Sequence, residues 1–256
     1  MLAPQRQAAI LDRVRAAGGV RVTDLAAEFG VSDMTIRRDL ESLADRGLLA
    51  KVHGGATSMR PGSTDEPGFA AKSIRQRAEK TAIAIGAAQL VSPGTAVALS
   101  AGTTTAELAQ RLVDVPELTV VTNSIPVADV FYRAGRPDQT VVLTGGVRTP
   151  SDALVGPVAL TAIRSLHLDV LFLGVHGMSE RAGYTTPNLM EAQTNRALIA
   201  AAERLVVLAD HTKWGTVGIS SIAELSEAHV VVSDAALPEG ARATLTEHVE
   251  ELVIVP

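Results

Sequence analysis

Asp210 and Lys213 stand three apart, directly after the apolar run Leu205–Ala209. A lysine in that place can hold a phosphate or an oxyanion, and an acid can accept hydrogen bonds from hydroxyl groups. A surface Asp–Lys pair of little energetic weight is the plainer alternative. Ser100-Ala101-Gly102-Thr103-Thr104-Thr105 follows a second apolar run, Ala96–Leu99. Its glycine lets a ligand come close to the backbone. The N–H groups opening the next helix, with the threonine hydroxyls, suit a phosphate or carboxylate. The same residues would also make an ordinary Gly turn and Thr cap. Four more stretches carry candidates: Asn123 in Thr122-Asn123-Ser124, Gly145 and Arg148 after Thr140–Thr144, His176 in Gly174-Val175-His176-Gly177, and Glu191 beyond the polar loop Gly183–Asn188. Asn123 and Glu191 can meet sugar hydroxyls, with Asn195 one turn on from Glu191. Arg148 can pair with a phosphate, and His176 can donate to a ligand oxygen. Each has a structural alternative, as turn residue, solvated arginine or structural histidine.

A different chemistry is written in Ser32–Leu40, SDMTIRRDL. Ser32 is a good helix N-cap. Ile36, Leu40 and Leu43 recur at helical spacing and share one buried face, which leaves Met34, Arg37, Arg38 and Glu41 on the other. Two adjacent arginines early in a short helix can reach base edges or phosphates. Before them, Thr23 is expected to cap a short helix, Asp24–Phe29, and Gly30-Val31 makes the turn. Helix, Gly-containing turn, helix is the helix-turn-helix pattern, although an αα-hairpin with a charged face reads the same way. Gly47 is expected to end the second helix. Leu48–Val52, a turn at His53-Gly54-Gly55 and a return strand from Ala56 then make a hairpin wing, with Lys51 and His53 near the nucleic-acid backbone or minor groove.

These residues resemble the DeoR family of bacterial transcriptional regulators. Arg6, Ile10 and Val14, then Ser32, Thr35, Ile36, Arg37, Arg38, Asp39 and Leu40, are similar to that family's helix-turn-helix signature, and Lys51–Ala56 to its wing. The resemblance implies contacts to DNA from Ser32, Met34, Thr35, Arg37, Arg38, Lys51 and His53. It continues downstream. The Gly-Thr-Thr run looks like the phosphate loop of the family's sensor domain, whose fold resembles ribose-5-phosphate isomerase. Asn123, the Gly145-Gly146 pair and the Asp210-x-x-Lys213-x-Gly215 run match family positions. In the related isomerases an Asp and a Lys at the site take part in the chemistry. Where the family often has Asp, this chain has Ser100, which puts the sugar-side contacts in question.

The elements that would position these groups follow from the pattern of the chain. Ala3–Ala17 reads as a first helix ended by Gly18-Gly19. Residues 58–70 are rich in Pro, Gly, Ser and charge, a linker composition. The expected division is a winged helix-turn-helix domain at 1–57, a linker at 58–72 and an effector domain at 73–256. After a helix at Arg75–Leu90, seven β-branched runs alternate with helices. The runs are Ala96–Leu99, Thr119–Thr122, Thr140–Thr144, Val170–Gly174, Leu205–Ala209, His229–Ser233 and Leu252–Val255. The helices lie near Thr104–Val113, Ile125–Arg133, Pro157–Ser165, Leu189–Glu203 and Glu239–His248. That alternation predicts an α/β fold, a mostly parallel sheet covered on both faces. In such sheets ligands bind beyond the carboxyl ends of the strands.

Composition sets the bounds. In 256 residues, 46% are hydrophobic and 3% aromatic, so the core must be aliphatic, and there is no cysteine to make a disulfide or a thiolate metal site. No cofactor or metal is expected. No apolar run is long enough for a membrane, and the N-terminus reads as a charged amphipathic helix rather than a signal segment, so a cytoplasmic protein is expected. Net charge is −5, with 9 Lys+Arg against 7 Asp+Glu in residues 1–60. A reader so mildly basic neutralises few phosphates, so several copies must act together, as a homo-oligomer of two or four. Three functions compete. One is a transcriptional regulator, most simply a repressor of a carbohydrate-metabolism operon, that binds an operator in double-stranded DNA and is relieved by a phosphorylated sugar. Another is a sugar-phosphate isomerase with an added helix-turn-helix, which would need Glu191 or Asp210 as general base. The last is a protein-binding module. The basic helix disfavours the last two.

Overall fold

The computed structural model describes residues 2–17, 19–46, 48–57, 63–64, 66 and 68–256. They form two compact units, Met1–Pro61 and Gly62–Pro256.

The first unit runs α1 (Ala3–Ala17), β1 (Gly19–Arg21), α2 (Val22–Phe29), α3 (Asp33–Asp45), β2 (Ala50–Val52) and β3 (Gly55–Thr57). Its core is the aliphatic face that the periodicity picks out. Ile10 and Val14 of α1 meet Leu25 of α2 and Ile36, Leu40 and Leu43 of α3, closed by Leu49 and Ala56 from the wing. Gly30 ends α2 at φ 62°, a conformation glycine adopts without penalty. Ser32 caps α3, its hydroxyl accepting from the Thr35 N–H. The Thr23 cap is not there. α2 begins at Val22 with Arg21 as the preceding extended residue, because β1 hands the chain straight into the helix. The helix-ending roles read for Gly18 and Gly47 lie outside the described residues.

β1 went unread in the sequence, and it changes the wing. The sheet is three-stranded, β1-β3-β2, all antiparallel. Gly55 is therefore more than a turn residue. A Cβ there would stand 2.0 Å from the Val20 carbonyl oxygen of β1. Gly55→Ala is expected to push β1 off the wing and destabilise this unit by about 1–3 kcal/mol, as overpacking does. Chemical denaturation of the full chain, followed by a probe in the wing, measures it.

The second unit opens with α4 (Phe69–Ser73) and α5 (Arg77–Ala88). α4 lies inside the stretch read as linker, so that assignment is corrected at 69–72. The rest of the linker falls partly on residues outside those described. Arg75 and Gln76 precede α5 rather than open it, and Gln76 has φ 48°. Then follow β4 (Ala96–Leu99), α6 (Thr103–Leu112), β5 (Thr119–Thr122), α7 (Ile125–Ala134), β6 (Thr140–Leu143), β7 (Val147–Arg148), β8 (Leu154–Val155), α8 (Pro157–Ile163), β9 (Leu168–Gly174), β10 (Gly177–Ser179), β11 (Gly183–Thr186), α9 (Leu189–Ala201), β12 (Ala202–Leu208), β13 (Ser220–Ala223), β14 (Val230–Asp234), α10 (Glu239–His248) and β15 (Glu251–Val255).

All seven expected strands pair into one parallel sheet, β15-β14-β12-β9-β4-β5-β6. Alternate residues face opposite cores. Leu171, Leu173, Leu205 and Val207 pack on one side, and Val170, Phe172, Val206 and Leu208 on the other. Burial on both faces is why the inner strands read as apolar runs, whereas the edge strand β6 is largely exposed. Gly183–Asn188, expected as a loop, is largely strand: β11 is the middle strand of a small antiparallel sheet, β10-β11-β13. Its short run of Gly, Tyr and Thr gave no alternation to read.

Candidate functional site

The sheet order places a switch point at β4. From β4 the chain moves outward through β5 and β6, then returns to β9 on the other side of β4 and continues to β15. Loops leaving β4 and β9 therefore diverge, and the crevice between them is where open α/β sheets take ligands. The Ser100–Thr105 loop leaves β4 there, and Gly174-Val175-His176 leaves β9. Strand order cannot be read from composition or spacing, so this is independent support for that crevice.

Within the crevice the candidates separate into those that face it and those that build it. Gly102 precedes α6 and Thr103 and Thr104 form its first turn. Thr103 also lines a different cleft of about 240 Å³ between α4, α6 and α7, with Phe69, Glu107 and Pro126. Thr105 is fully buried, and its hydroxyl donates to the carbonyls of Ser100 (2.7 Å) and Gly102 (3.0 Å), so its side chain braces the loop. Asn123 braces the loops likewise. Buried, it accepts from the Ala101 N–H (3.0 Å) and donates to the Leu154 carbonyl (3.2 Å), leaving its amide engaged within the protein. Ser100 is buried too, its hydroxyl accepting from the Gly174 N–H at 3.0 Å. It ties the two diverging loops together from a buried position.

Gly145 and Gly146 have φ of 73° and 124°, and a Cβ on Gly146 would meet the Val155 carbonyl oxygen at 2.4 Å. The pair is glycine because the β7–β8 hairpin folds against it, which accounts for it without a ligand. Arg148 lies in that hairpin and is held by Asp152, Nη2 to Oδ1 at 2.6 Å, so it is not a solitary loop cation. His176 is half-buried, with its backbone N–H donating to the Thr185 carbonyl. Glu191 sits in the first turn of α9, accepting from Thr149 Oγ1 (2.6 Å) and Thr186 Oγ1 (3.4 Å). Burial pushes its carboxyl above the ordinary range, the Thr149 bond opposes that, and Glu66 adds to it. Asn195 follows on the same helix and is buried.

Asp210 is only half satisfied among the described residues. It is 1% exposed and caps a single turn, His211–Lys213, its Oδ1 accepting from the Thr212 N–H (3.1 Å) and hydroxyl. Oδ2 is buried with no hydrogen-bond partner among the described residues, and Lys213 Nζ stands 4.0 Å away. A buried, unsatisfied carboxylate oxygen is costly unless a ligand donates to it.

The sequence missed the cation at the centre of this arrangement. Lys80, on α5, is 4% exposed, and its ammonium donates to the Lys72 and Arg75 carbonyls, both at 2.6 Å. These are carbonyls of the α4 end, so Lys80 caps that helix. Burial pushes its pKa down to about 8, with Asp210 and Glu107 acting against the shift and Lys213 and Lys72 with it. An ammonium has three donors and two are engaged, so a third is left for an anion. Three lysines, 72, 80 and 213, thus act on one another with incomplete compensation. In the sequence Lys80 was one basic residue on an Ala-rich helix. Its place inside the sheet's edge depends on how α5 packs against β14 and β15.

On the first unit, Arg37, Arg38 and Met34 are exposed on α3, with Met34 at 61%. Ser32 and Thr35 share a hydrogen bond at the helix start (3.0 Å). Lys51 of the wing reaches Glu41 at 2.6 Å, and His53 is exposed at the wing tip. Asp39, between the arginines and Leu40, points inward instead. It is buried and accepts from Arg6 Nε (2.6 Å) and Gln7 (3.0 Å) of α1.

Two family models cover most of the chain: a DeoR-like helix-turn-helix domain at residues 6–61 and a DeoR C-terminal sensor domain at 75–235. Among curated proteins, the uncharacterized HTH-type transcriptional regulator YgbI of Escherichia coli K12 is 36% identical over 99% of this chain and 98% of its own. The putative aga operon transcriptional repressor of E. coli O157:H7 is 32% identical over 98% and 93%. The glycerol-3-phosphate regulon repressor of E. coli K12 is 30% identical over 95% and 96%. Among solved structures, ribose 5-phosphate isomerase A from Methanocaldococcus jannaschii aligns over 54% of each chain at 16% identity, with a TM-score of 0.39. Matched from end to end by regulators and repressors, the chain belongs to the DeoR family and is a DNA-binding transcriptional regulator rather than an enzyme.

Proposed function

We propose that this regulator represses a carbohydrate-metabolism operon from the cytoplasm, as a homo-oligomer, and releases its operator when a phosphorylated sugar binds the second unit. The observation that carries the effector class is the buried Lys80 ammonium, which the partly exposed Lys72 and Lys213 act on, together with the Gly102–Thr104 helix start at the switch point of the sheet. In this reading the phosphate rests on the N–H groups of Gly102, Thr103 and Thr104 and on Lys80 and Lys213. The Asp210 Oδ2 oxygen, His176 and Glu191 meet hydroxyls. The first unit reads DNA through Ser32, Met34, Thr35, Arg37 and Arg38, with Lys51 and His53 on the backbone. The ligand must prefer the form that does not hold DNA, or it shifts nothing.

A thermal-shift screen against a panel of sugar phosphates tests the effector arm, because a ligand selective for the folded state raises Tm. No shift with any member, or an unaltered response in Thr103→Ala, overturns it. A mobility shift with duplexes from the gene's own neighbourhood tests the DNA arm. Arg38→Ala is expected to lower operator affinity about tenfold or more with unchanged Tm. If its role is phosphate neutralisation, the slope of log K against log salt falls by about 0.9.

Lys80 gives the site a pH signature. Its proton leaves near pH 8 in the fold but near 10.5 in the unfolded chain. Below 8 both states hold the proton and the fold bears the full cost of burying it. The unliganded protein therefore gains stability as pH rises from about 8 toward 10.5. Phosphate affinity runs the other way, falling across the same range as the ammonium is lost. Tm with and without 10 mM inorganic phosphate, at about pH 7 and pH 9.5, should show these opposite slopes.

A further inference from the structure

Glu66 has both carboxylate oxygens engaged by residues far away in sequence. Oε1 accepts from Ser151 Oγ at 3.1 Å, and Oε2 accepts from Asn188 Nδ2 at 3.0 Å. Ser151 is buried and in turn accepts from Lys72 Nζ at 2.7 Å. Asn188 caps α9, accepting from the Met190 and Glu191 N–H groups. Glu191 stands beside them on Thr149 and Thr186. A hydroxyl, an amide, an ammonium and a carboxylate converge here on the carbonyl-end face of the sheet. Such a mixed donor and acceptor set suits the neighbouring hydroxyls of a polyol. It is a poor seat for a second carboxylate, because Glu66 faces Glu191. Glu191, already raised by burial, is raised further by Glu66. Lys72 is the cation facing both, with Lys213 the next charge in range.

We propose that Glu66 is an internal competitor of the effector, occupying Ser151 and Asn188 in the place that the effector's hydroxyls take. This rests on the effector reading above and adds how occupancy leaves the site. Neutral hydroxyls would take the place of a carboxylate that stands against Glu191 and is held by Lys72 as well as by Ser151 and Asn188. Glu66 follows closely in sequence on Pro61, the last residue of the DNA-reading unit. α4 just beyond it loses an anchor when Glu66 leaves; among the described residues it keeps the Phe69 N–H to Pro150 bond, the Lys72 bond to Ser151, the Lys80 cap and its packing on α6.

The competition has a signature that a merely structural contact lacks: removing Glu66 should tighten binding. A ligand's apparent affinity is reduced by the fraction of protein already occupied by its competitor. In the full chain, Glu66→Ala is expected to bind D-ribose 5-phosphate or sn-glycerol 3-phosphate several-fold more tightly than wild type, with inorganic phosphate unchanged. Hydrogen exchange at Phe69 and Lys72 should quicken about tenfold in Glu66→Ala and in wild type saturated with either ester. The ester should add nothing in the variant, and Glu66→Gln should exchange as wild type. Protection of amides 101–106 by an ester, with equal affinities in wild type and Glu66→Ala, overturns this inference and leaves the effector reading standing. No protection there by either ester or by phosphate overturns both. Wild-type exchange at Phe69 and Lys72 in Glu66→Ala overturns the anchor, whatever binds.

Discussion

Asp39→Ala is expected to unfold the DNA-reading unit while the sensor unit stays folded. The carboxylate is buried with Arg6, their side chains 6% and 9% exposed, and it joins α1 to α3 through Arg6 and Gln7. Removing one partner of a buried pair costs about 3–5 kcal/mol, because a charge stays behind without its counter-ion. The unit is small, and domains of about 60 residues have little stability to lose. Operator binding should disappear, and the full chain should show a separate early transition with the main one unmoved. Arg6→Met combined with Asp39→Leu should recover most of the loss, since neither charge is then stranded. A variant that melts normally yet loses DNA would instead make Asp39 a contact. The control matters, because Asp39 directly follows Arg38 and a simple binding assay would count both as readers.

Lys80→Met has the largest effect expected on the sensor. The substitution keeps the length and the apolar stem, and removes the charge. A hydrogen bond to a charged group is worth about 1.5–3 kcal/mol, or a factor of about 10 to 150 in affinity for the phosphate. The pH dependence of phosphate binding around 8 should vanish with it. Lys213→Met should weaken phosphate less, because that side chain is 25% exposed and screened by water. It should retain the pH dependence. Equal affinity of Lys80→Met and wild type for phosphate would take Lys80 out of the site.

The fold was legible where burial is periodic and opaque where it depends on distant neighbours. All seven parallel strands could be read because each carries a β-branched or aliphatic run, continuous where both faces are covered, as in β4, β9 and β12, and still visible in the exposed edge strand β6. α3 could be read because Ser32 caps it and Ile36, Leu40 and Leu43 repeat at helical spacing. β1, three residues with alternate exposure, gives no such signal, and Gly55 reads as a turn residue because its close neighbour Val20 is distant in sequence. At the site, the loops are legible in the sequence, and the service of each polar side chain in them is not. Thr105, Asn123 and Ser100 sit at strand ends, where polar residues also serve the backbone, and only the hydrogen bonds reveal which service they perform. Lys80, Lys72 and Glu66 could not be found from spacing, since their partners lie on other elements. One cue was present: a lysine on the same helical face as Ile83, Ala84 and Ala87 must be buried with them, and buried lysines need a reason.

The Ser100–Gly174 tie spans 74 residues of chain. During synthesis β4 can pair with β5 soon after both leave the ribosome, but its other edge waits for β9. At about 5–20 residues per second that wait is roughly 4–15 s, during which a growing chain presents Val97 and Leu99 on an open strand. The DNA-reading unit has by then emerged complete. A nascent regulator thus completes the part that reads DNA well before the part that can be told to let go.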